Sequence, residues 1–331
     1  MPDEILLDRK DAEALAIRAC LAAGASELTA RSLVNATLSA ALYGSPSVGF
    51  PHLIDYLHSL KEGRINGDPQ PVFERPFPAF FASDADRGIA QLGVDLALGD
   101  FVAAVNNFGV GVFTQKNSYT TGELGYYVRR LAEHGLISIA ATNANAMMAP
   151  IPGGSPVYST NPLAFGCPLG DSMPPVVIDQ SSSATAYVNI VAAAVQQRPI
   201  PEGWAVDREG RATLDPDEAL TGALLPFGGR KGANIALMVE MLAAGLSGGS
   251  WSLDAADFMS GTRSPAVGLT LIAMLPGRPA DQRVARASAQ IGRLQGLGVY
   301  VPGTSKQPPS TEWVSLSRDT FEAISKIASE A

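Results

Sequence analysis

The stretch LLPFGGRKGANIALMVEMLAAGLSGG, residues 224–249, decides the fold class because it predicts a glycine turn that opens a long helix. A Gly-Gly pair forms the turn, and residues 231–246 are rich in Ala, Leu and Met, which favour a helix. The turn exposes backbone N–H groups at the positive end of the helix dipole, and Arg230 and Lys231 add positive charge. This segment is therefore a candidate phosphate site, with a solvated basic turn as the alternative.

Helices are predicted at both ends of the chain, with a mixed region between them. Apolar residues at helical spacing predict helices at residues 11–23, 27–42, 122–135 and 283–297, and another opening near Pro51. Short apolar runs predict strands at residues 109–114, 136–142, 176–179 and 267–274. We therefore expect an α/β (α+β) protein in which residues 1–75 and 283–331 form a helical domain and residues 76–282 form an α/β domain.

Composition and charge exclude several classes of protein. The 331 residues are 46% hydrophobic and 17% charged, so the chain can bury a large core. Its net charge of −8 argues against nucleic acid or an anionic membrane surface as a partner, since both attract a basic face. The two cysteines lie far apart and the first residues are acidic, which predicts a cytoplasmic protein without a secretory leader or disulfides. With three histidines and no cysteine pair, we expect no metal site.

Two general nucleotide-binding motifs are missing from the chain. It has neither a GxGxxG fingerprint between a strand and a helix nor a GxxxxGK[ST] phosphate loop. Asp179, however, ends a predicted strand and is followed by Ser181, Ser182 and Ser183, an arrangement common in α/β active sites. An ordinary helix cap is the alternative, because Asp and Ser also cap helices well.

Five further stretches carry a family pattern together with residues 224–249. They are GSPSVGFPHLIDYL (44–57), KNSYTTGELGYY (116–127), STNPLAFGCP (159–168), VVIDQSSSATA (176–186) and PIPEGWAVDREGRATLDP (199–216). Over about residues 10–305 the chain resembles the malate/L-lactate dehydrogenase-like oxidoreductases. That group also contains ureidoglycolate dehydrogenases, diketogulonate reductases and the Δ1-piperideine-2-carboxylate/Δ1-pyrroline-2-carboxylate reductases.

The resemblance implies a fold, a cofactor and an assembly. The family's cofactor domain has a largely antiparallel sheet and is not a Rossmann domain, in agreement with the missing GxGxxG pattern. Residues 76–282 would then be the cofactor-binding domain of a homodimer, with the active site between the helical and α/β domains. The expected cofactor is NADP or NAD, with NADPH favoured. The positions that match the family's cofactor contacts are Ile178, Asp179, Gln180, Ser181, Ser182, Ser183, Arg230, Lys231, Gly303, Thr304 and Ser305.

The sequence departs from the family where the active site is expected. The family pattern Ser-His-Gly-x-x-Arg reads Ser47-Val48-Gly49-Phe50-Pro51-His52, so a valine replaces the proton-donating histidine. His52 replaces an arginine suited to a substrate carboxylate. Thr120 stands where the family often has histidine, and residues 187–189 read Tyr-Val-Asn where Gly-Lys is common. The match to the family predicts catalytic roles for Asp179, His52 and Ser47, and substrate contacts from Val48, Tyr43, Asn117, Tyr119, Thr120 and Thr160.

His52 is a candidate replacement for the missing histidine. It follows Val48 by four residues, which is one turn later on the same face if the segment is helical. Pro51 predicts that a helix begins there, so His52 would lie in its first turn. A substrate contact and an ordinary surface histidine at a helix start both remain open.

Chemistry orders the possible activities. Reduction of a 2-oxo acid places negative charge on an oxygen, where a positioned acid contributes about 10²–10⁴-fold. A cyclic imine arrives protonated, and hydride transfer to it forms a neutral amine, so loss of the histidine is better tolerated. We therefore expect an NAD(P)H-dependent reductase of a cyclic imino acid of the Δ1-pyrroline-2-carboxylate type. The alternatives are a 2-hydroxy-acid dehydrogenase, such as one for malate or lactate, that draws its acid from His52, Tyr119 or Tyr43, and a cofactor-binding homologue without catalysis.

Overall fold

The computed structural model describes residues 4–44, 46–170, 173–277, 280–303 and 311–330. The helices are α1 (Arg9–Ala22), α2 (Glu27–Tyr43), α3 (Phe50–Lys61), α4 (Ala90–Phe108), α5 (Leu124–Glu133), α6 (Tyr187–Val195), α7 (Pro216–Thr221), α8 (Arg230–Glu240), α9 (Ala280–Gly296) and α10 (Arg318–Ala328). The strands are β1 (Glu4–Asp8), β2 (Val72–Phe77), β3 (Phe80–Asp84), β4 (Val110–Ser118), β5 (Ile137–Thr142), β6 (Leu163–Cys167), β7 (Val176–Gln180), β8 (Ala205–Val206), β9 (Ala223–Leu224), β10 (Val267–Met274) and β11 (Trp313–Ser317).

The two ends of the chain pack against each other. β1 pairs antiparallel with β11, and α10 lies against both α1 and α3. The spacing of Leu15 and Ala19 on α1 turns them to one buried face, where they meet Leu57 of α3 and Ile324 of α10 in a shared apolar core. Burial of this core joins segments that are about 300 residues apart in sequence, and it fixes α3 in place.

A seven-stranded sheet forms the middle of the molecule, in the order β2-β3-β4-β10-β5-β6-β7. Every neighbouring pair is antiparallel except β3 and β4. α4 packs on β4, and α5 packs on β5 and β6, over a core that includes Phe101, Phe113, Leu131 and Leu271. The structure thus confirms the expected mixed α/β class and its largely antiparallel sheet.

A smaller unit beside the sheet brings the end of β7 close to the start of α8. Its two-stranded sheet, β8 with β9, packs with α6 and α7 around Ile190 and Leu224. The chain after β9 then runs beside the segment that follows β7, where the Phe227 N–H donates to the Ser182 carbonyl at 3.0 Å. α8 continues into a π-helical turn, Met241–Gly245, whose Leu242 carbonyl accepts a 2.6 Å hydrogen bond from Thr270 of β10.

Most of the predicted elements are present, with shifted ends. The predicted helices correspond to α1, α2, α3, α5, α8 and α9, and the predicted strands to β4, β5, β7 and β10. β1 and β11 were not predicted, because each five-residue strand pairs with a partner at the other end of the chain and has no local signal. The expected domain boundary at residue 75 falls inside β2, and the two-domain division stays a prediction.

None of the described helices combines the length and the apolar character needed to cross a membrane. Within the same part of the chain, no three His, Cys, Asp or Glu side chains are grouped closely enough to hold a metal ion.

Candidate active site

Asp179, at the carboxyl end of β7, is held by the start of α5. Its Oδ2 accepts a 2.8 Å hydrogen bond from the Gly125 N–H, at the end of the helix where backbone donors are free. The residue as a whole is exposed, but this oxygen turns inward towards α5. Desolvation of the carboxyl raises the pKa of Asp179 to about 6, opposed by the Gly125 hydrogen bond and assisted by the nearby Glu123. Asp179 is thus a carboxyl group whose pKa is close to neutral pH.

A second carboxylate, Glu123, lies immediately before α5. It makes no side-chain cap to the helix, and only 8% of the residue is exposed. Its Oε1 accepts a 3.1 Å hydrogen bond from Nη2 of Arg129, which lies six residues further along the chain in α5. Gly44 makes room for this carboxylate, since a Cβ there would lie 2.2 Å from Oε1. Two carboxylates therefore meet at the start of α5, with one arginine between α2 and α5 to offset their charge.

Val48 lines a small cavity together with Glu123. The cavity measures about 10 Å³, enough for about one water molecule, and Thr37, Tyr56 and Gln91 also line it. The Oε2 of Glu123 and the Oε1 of Gln91 are buried, and neither accepts a hydrogen bond from any described residue. Val48 therefore shares this cavity with two residues that each carry a buried hydrogen-bond acceptor without a described donor.

Tyr56 connects α3 to the loop that follows β4. Its hydroxyl accepts hydrogen bonds from Thr120 Oγ1 at 2.7 Å and from Gln91 Nε2 at 3.4 Å. Burial raises the pKa of Tyr56 to about 12, so the hydroxyl keeps its proton at neutral pH. The structure thus places Thr120, an expected substrate residue, in contact with a side chain that lines the cavity.

His52 lies in the first turn of α3, as expected, but away from the Val48 cavity. Val48 ends a separate 3₁₀ turn, Pro46–Val48, and Gly49 with ψ −120° breaks the path into α3. The segment from Val48 to His52 is therefore not one continuous helix, so the condition for a shared face of these two residues is not met, whereas the helix start near Pro51 is confirmed. The Nδ1 of His52 lies 2.8 Å from Oδ2 of Asp55, and the ring meets Tyr56 and Phe258 edge to face.

Two of the expected substrate residues are occupied by contacts within the fold. Asn117, at φ +57°, donates from Nδ2 to Oδ1 of Asp84 at 2.9 Å. Tyr119 is fully buried; its hydroxyl donates to the Phe258 carbonyl at 2.8 Å and accepts from Ser59 at 2.8 Å. Burial also raises the pKa of the Tyr119 phenol, which makes it a weaker acid. Both side chains anchor the loop that carries Thr120.

The other expected substrate-side residues lie around the two carboxylates or beside β7. Tyr43 is exposed at the end of α2, and the Arg129 guanidinium lies 5.0 Å from the centre of its ring. Ser47 is half-buried beside Val48 in the 3₁₀ turn. Thr160 is half-buried, and its carbonyl accepts from the Ser182 N–H at 2.7 Å. Thr160 thereby joins the start of β6 to the segment that follows Asp179.

The expected cofactor residues fall on two neighbouring segments. Ile178, Asp179 and Gln180 end β7, and Ser181, Ser182 and Ser183 continue from it to the contact with Phe227. Arg230 and Lys231 are exposed in the first turn of α8, which has no side-chain cap and no acidic residue there. Free N–H donors and two cations fit a phosphate group. Gly303 approaches β7, where a Cβ would lie 2.5 Å from the Pro175 carbonyl oxygen, while Thr304 and Ser305 lie outside the described residues.

Sequence reasoning missed Glu123, Gln91, Arg129 and Tyr56. Glu123 stands before a predicted helix, where an acidic residue is normally read as favourable to the helix dipole. Its burial depends on Gly44 and Arg129, which other segments bring to it. The available sequence signal was a glutamate and an arginine six residues apart at a helix start. That pattern is too common to indicate a buried ion pair.

The fold and the site together define a class of protein, a mixed α/β protein in which two carboxylates meet at the start of α5 and two exposed cations begin α8. The family model for malate/L-lactate dehydrogenase matches residues 7–308, and the chain belongs to that family.

Similar proteins agree with this membership. The chain is 35% identical over 307 residues to a (2R)-3-sulfolactate dehydrogenase (NADP(+)) from Chromohalobacter salexigens, covering 91% of this chain and 90% of that one. It is 34% identical over 313 residues to a Δ1-pyrroline-2-carboxylate/Δ1-piperideine-2-carboxylate reductase from Pseudomonas putida, covering 92% and 91%. The crystal structure of Δ1-piperideine-2-carboxylate reductase from Pseudomonas syringae superposes with a TM-score of 0.87 at 30% identity, covering 98% and 99% of the two chains.

Proposed function

We propose that this protein reduces a cyclic imino acid of the Δ1-pyrroline-2-carboxylate type with NADPH. One observation carries the proposal. Among the described residues, Val48 shares its cavity with Glu123 and with no imidazole, and Asp179 accepts a hydrogen bond from Gly125, two residues after Glu123. Carboxylates stabilise a positive charge, and a protonated imine carries that charge at the carbon–nitrogen bond to be reduced. Relatives named as reductases of such imines lend further support.

The chemistry of an imine matches what these residues can do. A bound nicotinamide cofactor would supply the hydride. The imine carbon accepts it, the electron pair of the C=N bond moves to nitrogen, and a neutral amine forms without any proton transfer from the protein. Asp179 would hold the positive charge near the reacting bond before transfer. Its partner Gly125 fixes the direction of Oδ2, since the N–H leaves that oxygen little freedom.

We place the cofactor between the end of β7 and the start of α8, in a domain that is not of the Rossmann type. Ser181, Ser182 and Ser183 would line one side, and Arg230 and Lys231 the phosphate end. The contact between Phe227 and Ser182 supports this placement because it brings both segments together. NADPH is favoured over NADH, since two cations at a free helix start suit an additional phosphate.

A 2-hydroxy acid is the second candidate substrate, because a relative at 35% identity is named a sulfolactate dehydrogenase. That reaction needs a proton donor in the reductive direction. His52 with Asp55 is the pair that the structure offers, but His52 does not line the Val48 cavity. A cofactor-binding homologue without turnover is the third possibility.

One assay separates these three functions. Purified enzyme is given NADPH or NADH with pyrroline-2-carboxylate, piperideine-2-carboxylate, pyruvate, oxaloacetate and 3-sulfopyruvate, and cofactor oxidation is followed at 340 nm. We expect turnover of the two imines well above that of the three oxo acids. Turnover of oxo acids alone contradicts the proposal in favour of the second candidate. Cofactor binding with no turnover of any compound favours the third.

We extend the proposal to a cytoplasmic homodimer. α6 leaves Tyr187, Val191 and Val195 exposed along one face at helical spacing, with Val188 beside them. A contiguous apolar patch on one helix is typical of an interface between subunits. Size-exclusion chromatography with light scattering tests the assembly, and a monomeric mass at every concentration contradicts it.

A further inference from the structure

Two residues that line the cavity beside Val48 each carry a buried hydrogen-bond acceptor without a described donor. Glu123 is 8% exposed and Gln91 is 1% exposed, and each presents one buried oxygen that no described residue supplies with a donor. Such groups cost free energy unless something donates to them. The cavity that both residues line is large enough for about one water molecule.

Gly44 and Arg129 hold Glu123 in this place. Gly44 leaves space for the carboxylate, and Arg129 donates a hydrogen bond to its Oε1. Gly125 also leaves space for this oxygen, since a Cβ on Gly125 would lie 2.5 Å from Oε1. The Arg129 guanidinium is itself fixed by a 2.7 Å hydrogen bond to Ser39. Because Oε1 is committed to the arginine, Oε2 remains for the cavity.

We propose that Glu123 is a specificity residue which, through one water held in this cavity, reads the protonated nitrogen of the substrate. A water that donates to Glu123 Oε2 and Gln91 Oε1 has used both of its protons. Tyr56, whose hydroxyl already accepts from Thr120 and Gln91, donates to one of its lone pairs. The last lone pair faces the substrate and accepts only from an N–H or O–H donor.

This arrangement selects for an imine against an oxo acid. An iminium N–H donates to the water, whereas a carbonyl oxygen places one lone pair against another. The small side chain of Val48 keeps the water close to the substrate, where an imidazole would fill the space. The inference rests on the proposed function, since it names the feature of the imine that this site recognises.

Binding of two unreactive ligands tests the inference without turnover. Pyrrolidine-2-carboxylate carries an NH₂⁺ group, and tetrahydrofuran-2-carboxylate carries an ether oxygen in its place. Calorimetric titration of the enzyme–NADPH complex should give the amine at least about tenfold tighter binding than the ether, as for a hydrogen bond between charged groups. Equal affinities in the unaltered enzyme overturn the inference, and this result does not depend on any variant folding.

Glu123→Gln should remove most of the preference, since the amide can turn its N–H₂ to the water and reverse the polarity of the cavity. The matched control is Asp95→Asn, which alters the neighbouring ion pair between Arg130 of α5 and Asp95 without touching the cavity. This control should keep the full preference. A Glu123→Gln enzyme that folds, by its thermal unfolding curve, and still prefers the amine tenfold contradicts the role of Glu123.

The same experiment distinguishes failure of this inference from failure of the proposed function. An enzyme that oxidises NADPH with the imines yet binds both ligands equally supports the function and refutes the inference. An enzyme that prefers the amine, loses that preference in Glu123→Gln and reduces no imine supports the role of Glu123 and refutes the function.

Discussion

The side chain of Val48 cannot donate a proton, while two carboxylates lie at the nearby start of α5. Asp179 is held by the Gly125 N–H, and Glu123 is held by Arg129. Both contacts keep a carboxylate oriented without neutralising both of its oxygens. The site can therefore stabilise a cation better than it can donate a proton, and this difference decides which reaction the residues favour.

Asp179 should make the stability of the fold depend on pH. Its pKa in the folded chain, about 6, lies above the ordinary aspartate value of 3.8, so the folded state binds this proton more tightly than the unfolded state. The free energy of unfolding therefore contains a contribution that falls as pH rises through the window from 3.8 to about 6 and stays low above it. Asp179→Asn cannot titrate but keeps an oxygen for the Gly125 N–H.

Urea denaturation of the native protein and Asp179→Asn, at intervals of pH from 4 to 8, measures this effect. We expect the stability of the variant relative to the native protein to increase between the acid and neutral ends of the series. The same change should lower kcat/KM for the imine by about tenfold or more, the value of a hydrogen bond to a charged group. A stability difference that is constant with pH contradicts the assignment of the raised pKa.

His52 is expected to be dispensable as a proton donor. It contacts Asp55 and two aromatic rings, and Gly49 separates its helix from the turn that carries Val48. His52→Gln should reduce kcat by less than about tenfold, well below the roughly 10²–10⁴-fold contribution of a positioned general acid. Steady-state rates with the preferred substrate test this. A hundredfold fall in kcat with KM unchanged would restore His52 as the acid.

At the scale of elements, short segments at three helix starts assemble the site. α5 offers backbone donors to Asp179, the turn before α3 carries Val48, and α8 begins with two cations and no cap. The segment after β7 passes from the first of these to the last. Because helix starts present backbone N–H groups without intrahelical partners, Asp179 is held by the Gly125 N–H, and the start of α8 suits the phosphate proposed for it.

The start of α8 should discriminate between the two nicotinamide cofactors. Arg230→Gln and Lys231→Gln leave the helix start intact and remove one charge each. We expect each variant to raise KM for NADPH about tenfold, the value of a charge-assisted hydrogen bond, with a smaller effect on NADH. Initial rates with both cofactors measure the ratio. An equal rise for NADH and NADPH would place these residues on a phosphate that the two cofactors share.

At the scale of the whole molecule, local sequence patterns were enough to predict many of the helices and strands and the family. They could not predict contacts between residues far apart in sequence. Helical spacing and β-branched runs located α1, α2 and β10, since those signals are contained within one segment. The β1–β11 pair and the burial of Glu123 depend on residues far apart in sequence, so neither has a local signature. The family pattern pointed to Val48 and Asp179, and the stretch 116–127 that carries part of it includes Glu123, but the pattern alone did not indicate that this side chain is buried beside Val48.

The closure of the two chain ends should control the stability of the helical core and, through it, the site. Leu316 of β11 is 4% exposed in the core that also holds Leu57 of α3, whereas Leu6 of β1 is 62% exposed. Leu316→Ala should lower the free energy of unfolding by about 2–5 kcal/mol, because it removes buried apolar surface and leaves a cavity. Leu6→Ala, on the strand paired with it, should change it by less than about 0.5 kcal/mol.

Denaturant titration of both variants measures the two effects. Since α3 carries Tyr56 into the Val48 cavity, Leu316→Ala should also weaken binding of pyrrolidine-2-carboxylate near its unfolding transition, and Leu6→Ala should not. Equal destabilisation by the two changes would contradict the prediction, because it would mean that burial of Leu316 in the core shared with Leu57 contributes no more than the exposed Leu6 side chain. Unchanged ligand binding in Leu316→Ala would mean that the position of Tyr56 does not depend on this core.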